Sequence, residues 1–316
     1  MTLRVLTEST EEILGTAANE RAAAEALVSA RASDYALLLK PRVMSLVVFT
    51  GVVGLFLAPG EIAPWTAAMS VFCIALGAGA AGAINMWYDR DIDQQMTRTM
   101  NRPIPAGRMK PARALLLGII LSMISVFAMA LAVNTFAAFL LSLTIAYYVF
   151  VYTIWLKRRT PLNIVVGGAS GAFPPMIGWA AVTGGLGLES LALFAIIFTW
   201  TPPHFWSLAL FRCGDYANAG VPMLPVVAGL RETKKQILAY SLALVPLTFA
   251  PVALGMSGLV YAAAALVLGV WLLRLAVAVW RDDTVKAAKP MFFFSIFYLF
   301  LIFVFLLVDR VIFLPL

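Results

Sequence analysis

"WTAAMSVFCIALGAGAAGAINMWYDRDID", from Trp65 to Asp93, carries no charge as far as Tyr88 and then places aspartates at 89, 91 and 93. About 20 apolar residues, wound as a helix, cross the roughly 30 Å of hydrocarbon in a bilayer. The stretch therefore reads as a membrane helix that ends abruptly in carboxylates. Similar apolar runs recur near 40–58, 64–88, 112–133, 135–156, 163–182, 190–212, 236–257, 259–280 and 290–313. The expected fold is an all-α polytopic membrane protein of nine transmembrane helices. A chain that is 62% hydrophobic and only 12% charged is not an ordinary soluble domain.

The net charge of +7 does not point to nucleic acid, because the cations are sorted by loop. If nine spans alternate, the segments holding Lys40 and Arg42, Arg90 to Arg113, Lys157 to Arg159, Arg212 to Lys235, and Arg274 to Lys289 share one side. The opposite loops, around Glu61, Asn134, Glu189 and Ser257, hold no Lys or Arg. Positive charge stays inside. The N-terminus is thus expected in the cytoplasm and the C-terminus outside.

Residues 1–33 read as a cytosolic N-terminal extension with a capping-box pattern from Ser9 to Glu12, and 34–316 as one intramembrane domain. The extension has neither an apolar signal core nor the basic bias of a transit peptide, so a bacterial inner membrane is the expected location. Cys73 and Cys213 lack metal-site spacing and read as structural. "GAGAAG" (Gly77–Gly82) lies inside an apolar span with no strand before it, and so is small-residue helix packing and not a dinucleotide loop.

Asn85, Asp89 and Asp93 recur at i, i+4 and i+8, which puts them on one face if the helix continues, with Asp91 pointing away. Three oxygen-bearing side chains in a row suit a hard cation such as Mg²⁺, completed by water and phosphate oxygens. A solvated helix end with ordinary Asp–Arg pairs fits the same residues. Arg98, Arg102, Arg108 and Lys110 follow in a loop stiffened by "NRPIPAG", and Lys157, Arg158 and Arg159 come from the same side. They suit a polyanion or simply inside charge.

"GGASGAFPPMIGWAAVTGG" (Gly167–Gly185) is a broken helix with a GxxxG from Gly167 to Gly171. "TWTPPHFWSLALFRCGDYANAGVPMLP" (Thr199–Pro225) carries the chain's single histidine, His204, among Trp200, Phe205 and Trp206, with Asp215 beyond. That histidine reads as a structural hydrogen-bonding residue, a porphyrin contact or a proton carrier. The charged loops after spans two and six hint at a duplicated four-helix unit plus a ninth helix. Spans one, three, seven, eight and nine, with runs such as "MFFFSIFYLFLIFVF", read as lipid-facing or packing surface.

Together these motifs resemble the intramembrane prenyltransferases of the UbiA type, whose signature is the stripe matched by Asn85, Asp89 and Asp93. The longer segments "NMWYDRDID", "YTIWLKRRTPLNIVVGGASGAFPPMIGW", "TWTPPHFWSLAL" and "DYANAGVPMLP" resemble the heme-farnesylating branch of that superfamily. The resemblance implies nine helices around a central cavity, capped on the cytoplasmic side by two long loops. It implies transfer of a farnesyl group from farnesyl diphosphate to a vinyl group of heme b, with Mg²⁺ as cofactor. Asn85, Asp89, Asp93 and Asp215 would be the metal residues, and Asp89, Asp93 and Lys157 the catalytic ones. Substrate contacts would come from Asn85, Arg98, Arg102, Arg108, Arg158, His204, Trp206, Asp215 and Tyr216. The superfamily's second Asp-xxx-Asp is Asp215 and Ala219 here, a departure that leaves a second metal short of a ligand. Implied partners are the membrane lipid and proteins of heme handling or terminal-oxidase assembly, with no nucleic acid. The alternatives are a prenyltransferase for an aromatic acid of a quinone pathway and, from another class, a secondary transporter.

Overall fold

The computed structural model describes residues 30–312, and every regular element among them is helical. The capping-box pattern at Ser9 and nearly all of the N-terminal extension lie outside the described residues. A short helix α1 (Ala32–Leu38) meets α2 (Pro41–Leu57) at a 51° bend. The hinge is Lys40, which takes a left-handed conformation (φ 51°) just before Pro41. A residue preceding proline is disfavoured in right-handed helical geometry, so the break belongs there.

The remaining elements are α3 (Pro64–Tyr88), α4 (Arg90–Gln94), α5 (Pro111–Ala132) and α6 (Thr135–Ala146), which continues as a π-helix from Tyr147 to Leu156. Then come α7 (Asn163–Gly167), α8 (Ala169–Ala172), α9 (Pro174–Thr183), α10 (Leu188–Phe211), α11 (Cys213–Asn218) and α12 (Leu224–Val227). The chain closes with α13 (Gly229–Leu247), α14 (Ala250–Ala253), α15 (Leu259–Arg281) and α16 (Ala288–Ile312). Among the described residues eight spans are long and apolar enough to cross a membrane, and the bent α1–α2 pair makes a ninth. Proline at the first turn starts α2, α3, α5 and α9, where its missing N–H costs nothing.

Side chains of equal greasiness gain little by meeting each other in lipid, so close backbone approach holds such bundles together. Gly118 of α5 seats the backbone of α3: a Cβ there would lie 2.6 Å from Ile84 and 3.1 Å from the Ala80 carbonyl. Gly77, Gly79 and Gly82 receive Leu141, Leu39 and the Lys40 stem, as expected of small-residue packing. The first span is not featureless. At Gly54 a Cβ would run into the Pro175 main chain, and at Gly178 into the Gly51 carbonyl, so α2 and α9 touch backbone to backbone. In the GxxxG, Gly167 carries the Tyr152 ring, whereas nothing approaches Gly171.

The seventh span begins at Gly229, several residues before the apolar run. Lys234 is buried and turns inward, donating to the carbonyls of Asp282 and Thr284 (2.6 Å to the latter). Arg274 lies inside α15 and not in the following loop. The last span is packing surface on its buried face, where Asp309 accepts from the amides of Gly258 and Tyr261 and caps α15. Leu131, Trp65, Phe127 and Trp271 are exposed, as lipid-facing side chains would be.

Candidate active site

Helical winding persists through the junction of α3 and α4. The amide of Asp89 donates to the Asn85 carbonyl at 2.9 Å, and that of Asp93 to the Asp89 carbonyl at 2.8 Å. Asn85, Asp89 and Asp93 consequently share a face, with residue exposures of 3%, 0% and 2%. Asp91 points away, its side chain 58% exposed. It accepts both terminal nitrogens of Arg158, at 2.7 and 2.6 Å, and this hydrogen bonding holds its carboxyl below the usual carboxylate range.

The π-helix supplies the opposite wall. Lys157 donates its amide to the Tyr152 carbonyl, five residues back, so the wider winding extends to the lysine. Asn85 Nδ2 donates to Thr153 Oγ1 at 3.1 Å, and Lys157 Nζ donates to Asp89 Oδ2. Both contacts join positions 68 apart in sequence, which means that the two helix ends run parallel and in register.

Each oxygen of the stripe can then be followed. Asp89 Oδ2 accepts from Asn85 Nδ2 (2.7 Å) as well as from Lys157, and Asn85 Oδ1 accepts from Lys40 Nζ (2.7 Å). Asp93 Oδ2 accepts from Arg102 Nη1 at 2.7 Å. Asp89 Oδ1 is buried and has no hydrogen-bond partner among the described residues; Arg158 Nη2 lies 3.8 Å away. A buried carboxylate oxygen without a donor is costly. It fits a hard cation at this position, with the Asn85 and Asp93 oxygens beside it. Among the described residues no three His, Cys, Asp or Glu side chains converge on a metal-sized site. A metal here would draw on the amide and on substrate oxygens.

Of the other expected residues, Asp215 reaches the same layer through Thr97, whose hydroxyl lies 2.9 and 3.1 Å from its two carboxylate oxygens; Arg212 is 3.6 Å away. Its carboxylate is thus turned to the first loop's threonine and not to the aspartates of the stripe. Tyr216 is buried with Ile92, Met96 and Ile164, and packs the second charged loop onto the first. Arg98 is exposed and makes no ion pair among the described residues. Arg108 is not part of the constellation: the turn through Gly107 (φ 73°) carries it to Asp34, which it meets at 2.9 Å, and to the Asn101 carbonyl. Trp206 is also elsewhere, 2% exposed and edge-on to Tyr240 within the core. Phe205, one position and about 100° away on the helix, packs instead, with Tyr152, against the cluster that holds Ile92 and Tyr216. His204 is buried beside Ser295, 2.7 Å from its hydroxyl.

Lys40 and Thr153 carry no distinguishing mark in the sequence alone. Lys40 counts there only as inside charge, and its placement just before Pro41 is the available signal. Thr153 stands four positions before Lys157, the same spacing as Asn85 and Asp89.

Carboxylates on one stripe, each bonded to a cation at the end of an apolar span, make this the candidate site of an intramembrane enzyme. The chain belongs to the UbiA prenyltransferase family, whose model matches residues 47–297. It is 59% identical over 283 residues to a protoheme IX farnesyltransferase of Parvibaculum lavamentivorans, covering 88% of this chain and 89% of that one. A protoheme IX farnesyltransferase of Rhodopseudomonas palustris is 55% identical over 294 residues, covering 92% and 94%. Among solved structures, a digeranylgeranylglyceryl phosphate synthase shares the fold with a TM-score of 0.73 at 17% identity, over 88% of this chain and 97% of that one. A UbiA homolog from Archaeoglobus fulgidus bound to DMAPP and Mg²⁺ does so at 0.64 and 17% identity, over 86% and 99%.

Proposed function

We propose that this prenyltransferase transfers the farnesyl group of farnesyl diphosphate to a vinyl group of heme b, giving hydroxyethylfarnesyl heme (heme O) and diphosphate. The heme specificity is supported by the name that its relatives carry. The diphosphate end is supported by one observation above all: Asp89 is fully buried, held by Lys157 on one oxygen and without a hydrogen bond on the other.

Asn85, Asp89 and Asp93 would hold Mg²⁺, which when bound neutralises negative charge on the diphosphate. Arg102, Lys157 and Arg158, with Lys40 beside Asn85, supply donors for the remaining phosphate oxygens. Charge grows on the departing diphosphate as the C1–O bond of the farnesyl chain breaks, and fixed cations in a dry layer stabilise it most at that moment. The terminal carbon of the vinyl group then bonds to C1. The cation left beside the porphyrin ring takes up water and releases a proton. The buried apolar cluster of Ile92, Met96 and Tyr216, with Phe205 packed against it, would keep water from the allylic cation until then. Asp215 and Tyr216 join the second loop to the first over this layer.

A bacterial inner membrane is the proposed location, and the positive-inside pattern supports an N-terminus and charged loops on the cytoplasmic side. Partners that handle heme or assemble terminal oxidases would receive the product. The reading is tested by adding farnesyl diphosphate, Mg²⁺ and heme b to membranes holding the chain: a more hydrophobic heme is expected. Prenylation of an aromatic acid with no change in the heme would replace it with the quinone-pathway reaction.

A further inference from the structure

Ser295, in the aromatic run of α16, ties that helix to α10 by two contacts and makes a third within its own helix. Trp200 Nε1 donates to its carbonyl at 2.7 Å, its hydroxyl donates to the Phe292 carbonyl at 2.7 Å, and His204 Nδ1 lies 2.7 Å from its Oγ. All three side chains are buried, Ser295 to 1% exposure. A hydroxyl has a single proton. With that proton on the Phe292 carbonyl, Oγ offers His204 only lone pairs, and Nδ1 is then the donor. Other buried hydroxyls also donate to a carbonyl of the preceding turn, as Thr201 does to Ile197 (2.8 Å) and Ser207 to Pro203 (2.6 Å).

In that arrangement the neutral imidazole carries its free lone pair on Nε2; the ring's one hydrogen bond among the described residues is the Nδ1 contact to Ser295. Trp200 and Phe292 stack against the ring at centroid distances of 4.4 and 4.7 Å and fix its plane. Phe205 meets it edge-on at 5.1 Å and extends to Ile92 and Tyr216 below the aspartate stripe. A bare nitrogen, in a fixed tautomer and orientation beside the reaction layer, is the arrangement of a metal-ligating histidine whose other nitrogen is anchored.

We infer that His204 Nε2 ligates the iron of the porphyrin substrate, and that Ser295 is the positioning residue that fixes the ligating tautomer. The inference rests on the heme-farnesylating reading. Ligation forms a coordinate bond from the Nε2 lone pair to iron, with no electron or proton transferred, and the Nδ1–H hydrogen bond makes that nitrogen a stronger donor.

Because His204 is the only histidine in the chain, a protein without a histidine tag labelled with ¹⁵N-histidine gives one imidazole to observe. In detergent and without heme, NMR should find Nδ1 protonated and Nε2 bare. Adding diamagnetic zinc protoporphyrin should shift the Nε2 resonance, and ferric heme b should give a nitrogen-ligated optical and EPR spectrum. His204→Gly should lose that spectrum and regain it with added imidazole. Ser295→Ala should weaken heme binding by about 10-fold or more, with Ser295→Thr restoring it. A wild-type protein that binds heme with an unmoved Nε2 resonance, or a His204→Gly complex with the wild-type spectrum, overturns the ligand assignment and leaves the proposed reaction standing. A wild-type protein that binds no heme at all overturns the reaction, and the ligand assignment with it.

Discussion

Lys157 Nζ is hydrogen-bonded to Asp89 Oδ2 at the parallel ends of two helices, while Asp89 Oδ1 stays buried without a hydrogen bond. The pair separates what the site needs for chemistry from what it needs for folding. Asp89→Asn keeps the shape and removes the charge, and should lower farnesyl transfer by about 10²–10³-fold, as loss of a transition-state electrostatic contact does. Lys157→Met leaves Asp89 as a buried anion with only the longer Arg158 contact, and should destabilise the protein by about 3 kcal/mol. The double variant should recover most of that stability and none of the activity. Thermal unfolding in detergent, beside turnover in membranes, separates the two effects; recovered activity would contradict the assignment.

The hydroxyl of Thr97 on the carboxylate of Asp215 joins the two charged loops. Thr97→Val and Asp215→Ala should each loosen the loops, and the double variant should cost less than the sum. The expected coupling is about 0.5–1.5 kcal/mol, read from unfolding of the four proteins in the cycle. Strict additivity would mean that the loops are not linked by this contact.

Backbone contact between α2 and α9 depends on glycine. Gly54→Ala places a methyl group on the Pro175 main chain, and should cost about 1–3 kcal/mol. Gly171→Ala, whose methyl group would have nothing within 4 Å, should be neutral. Melting temperatures in detergent check both, at about 2–4 °C per kcal/mol.

Much of this fold was legible because lipid allows so few alternatives. Backbone groups with no water nearby must be satisfied by helices, so length and apolarity placed eight spans within a few residues of their observed ends. The stripe was legible for a related reason: a period of four on a helix admits only one face. What sequence could not give was contact between spans. Lys40, Thr153 and Ser295 acquire meaning only when another helix arrives beside them, and Arg108 looked like its neighbours until the turn at Gly107 carried it to Asp34. The start of α13 was misplaced because Lys234 counted as loop charge, when it is buried and binds carbonyls.

Asp282 gives a pH prediction at the turn between α15 and α16. Its carboxylate accepts from the Thr284 and Ala287 amides and the Thr284 hydroxyl, led by the Ala287 amide, and its pKa is lowered to about 2. A depressed carboxylate stabilises the fold fully above its unfolded value near 3.8 and ceases to do so as pH falls through its folded value. The melting-temperature gap between wild type and Asp282→Ala should stay constant from pH 8 down to about 5. It should close between about 4 and 2. A gap that closes near pH 6 would point to another group.

Farnesyl transfer to heme at the Asp89 site is decided by mass spectrometry of the pigments extracted from membranes that hold the chain and receive heme b, farnesyl diphosphate and Mg²⁺. A heme heavier by one farnesyl group and one hydroxyl group is expected, formed by wild type and absent with Asp89→Asn. Unaltered heme b from wild-type membranes, or the farnesylated heme from Asp89→Asn at the wild-type rate, would show that the reaction or its site is assigned wrongly.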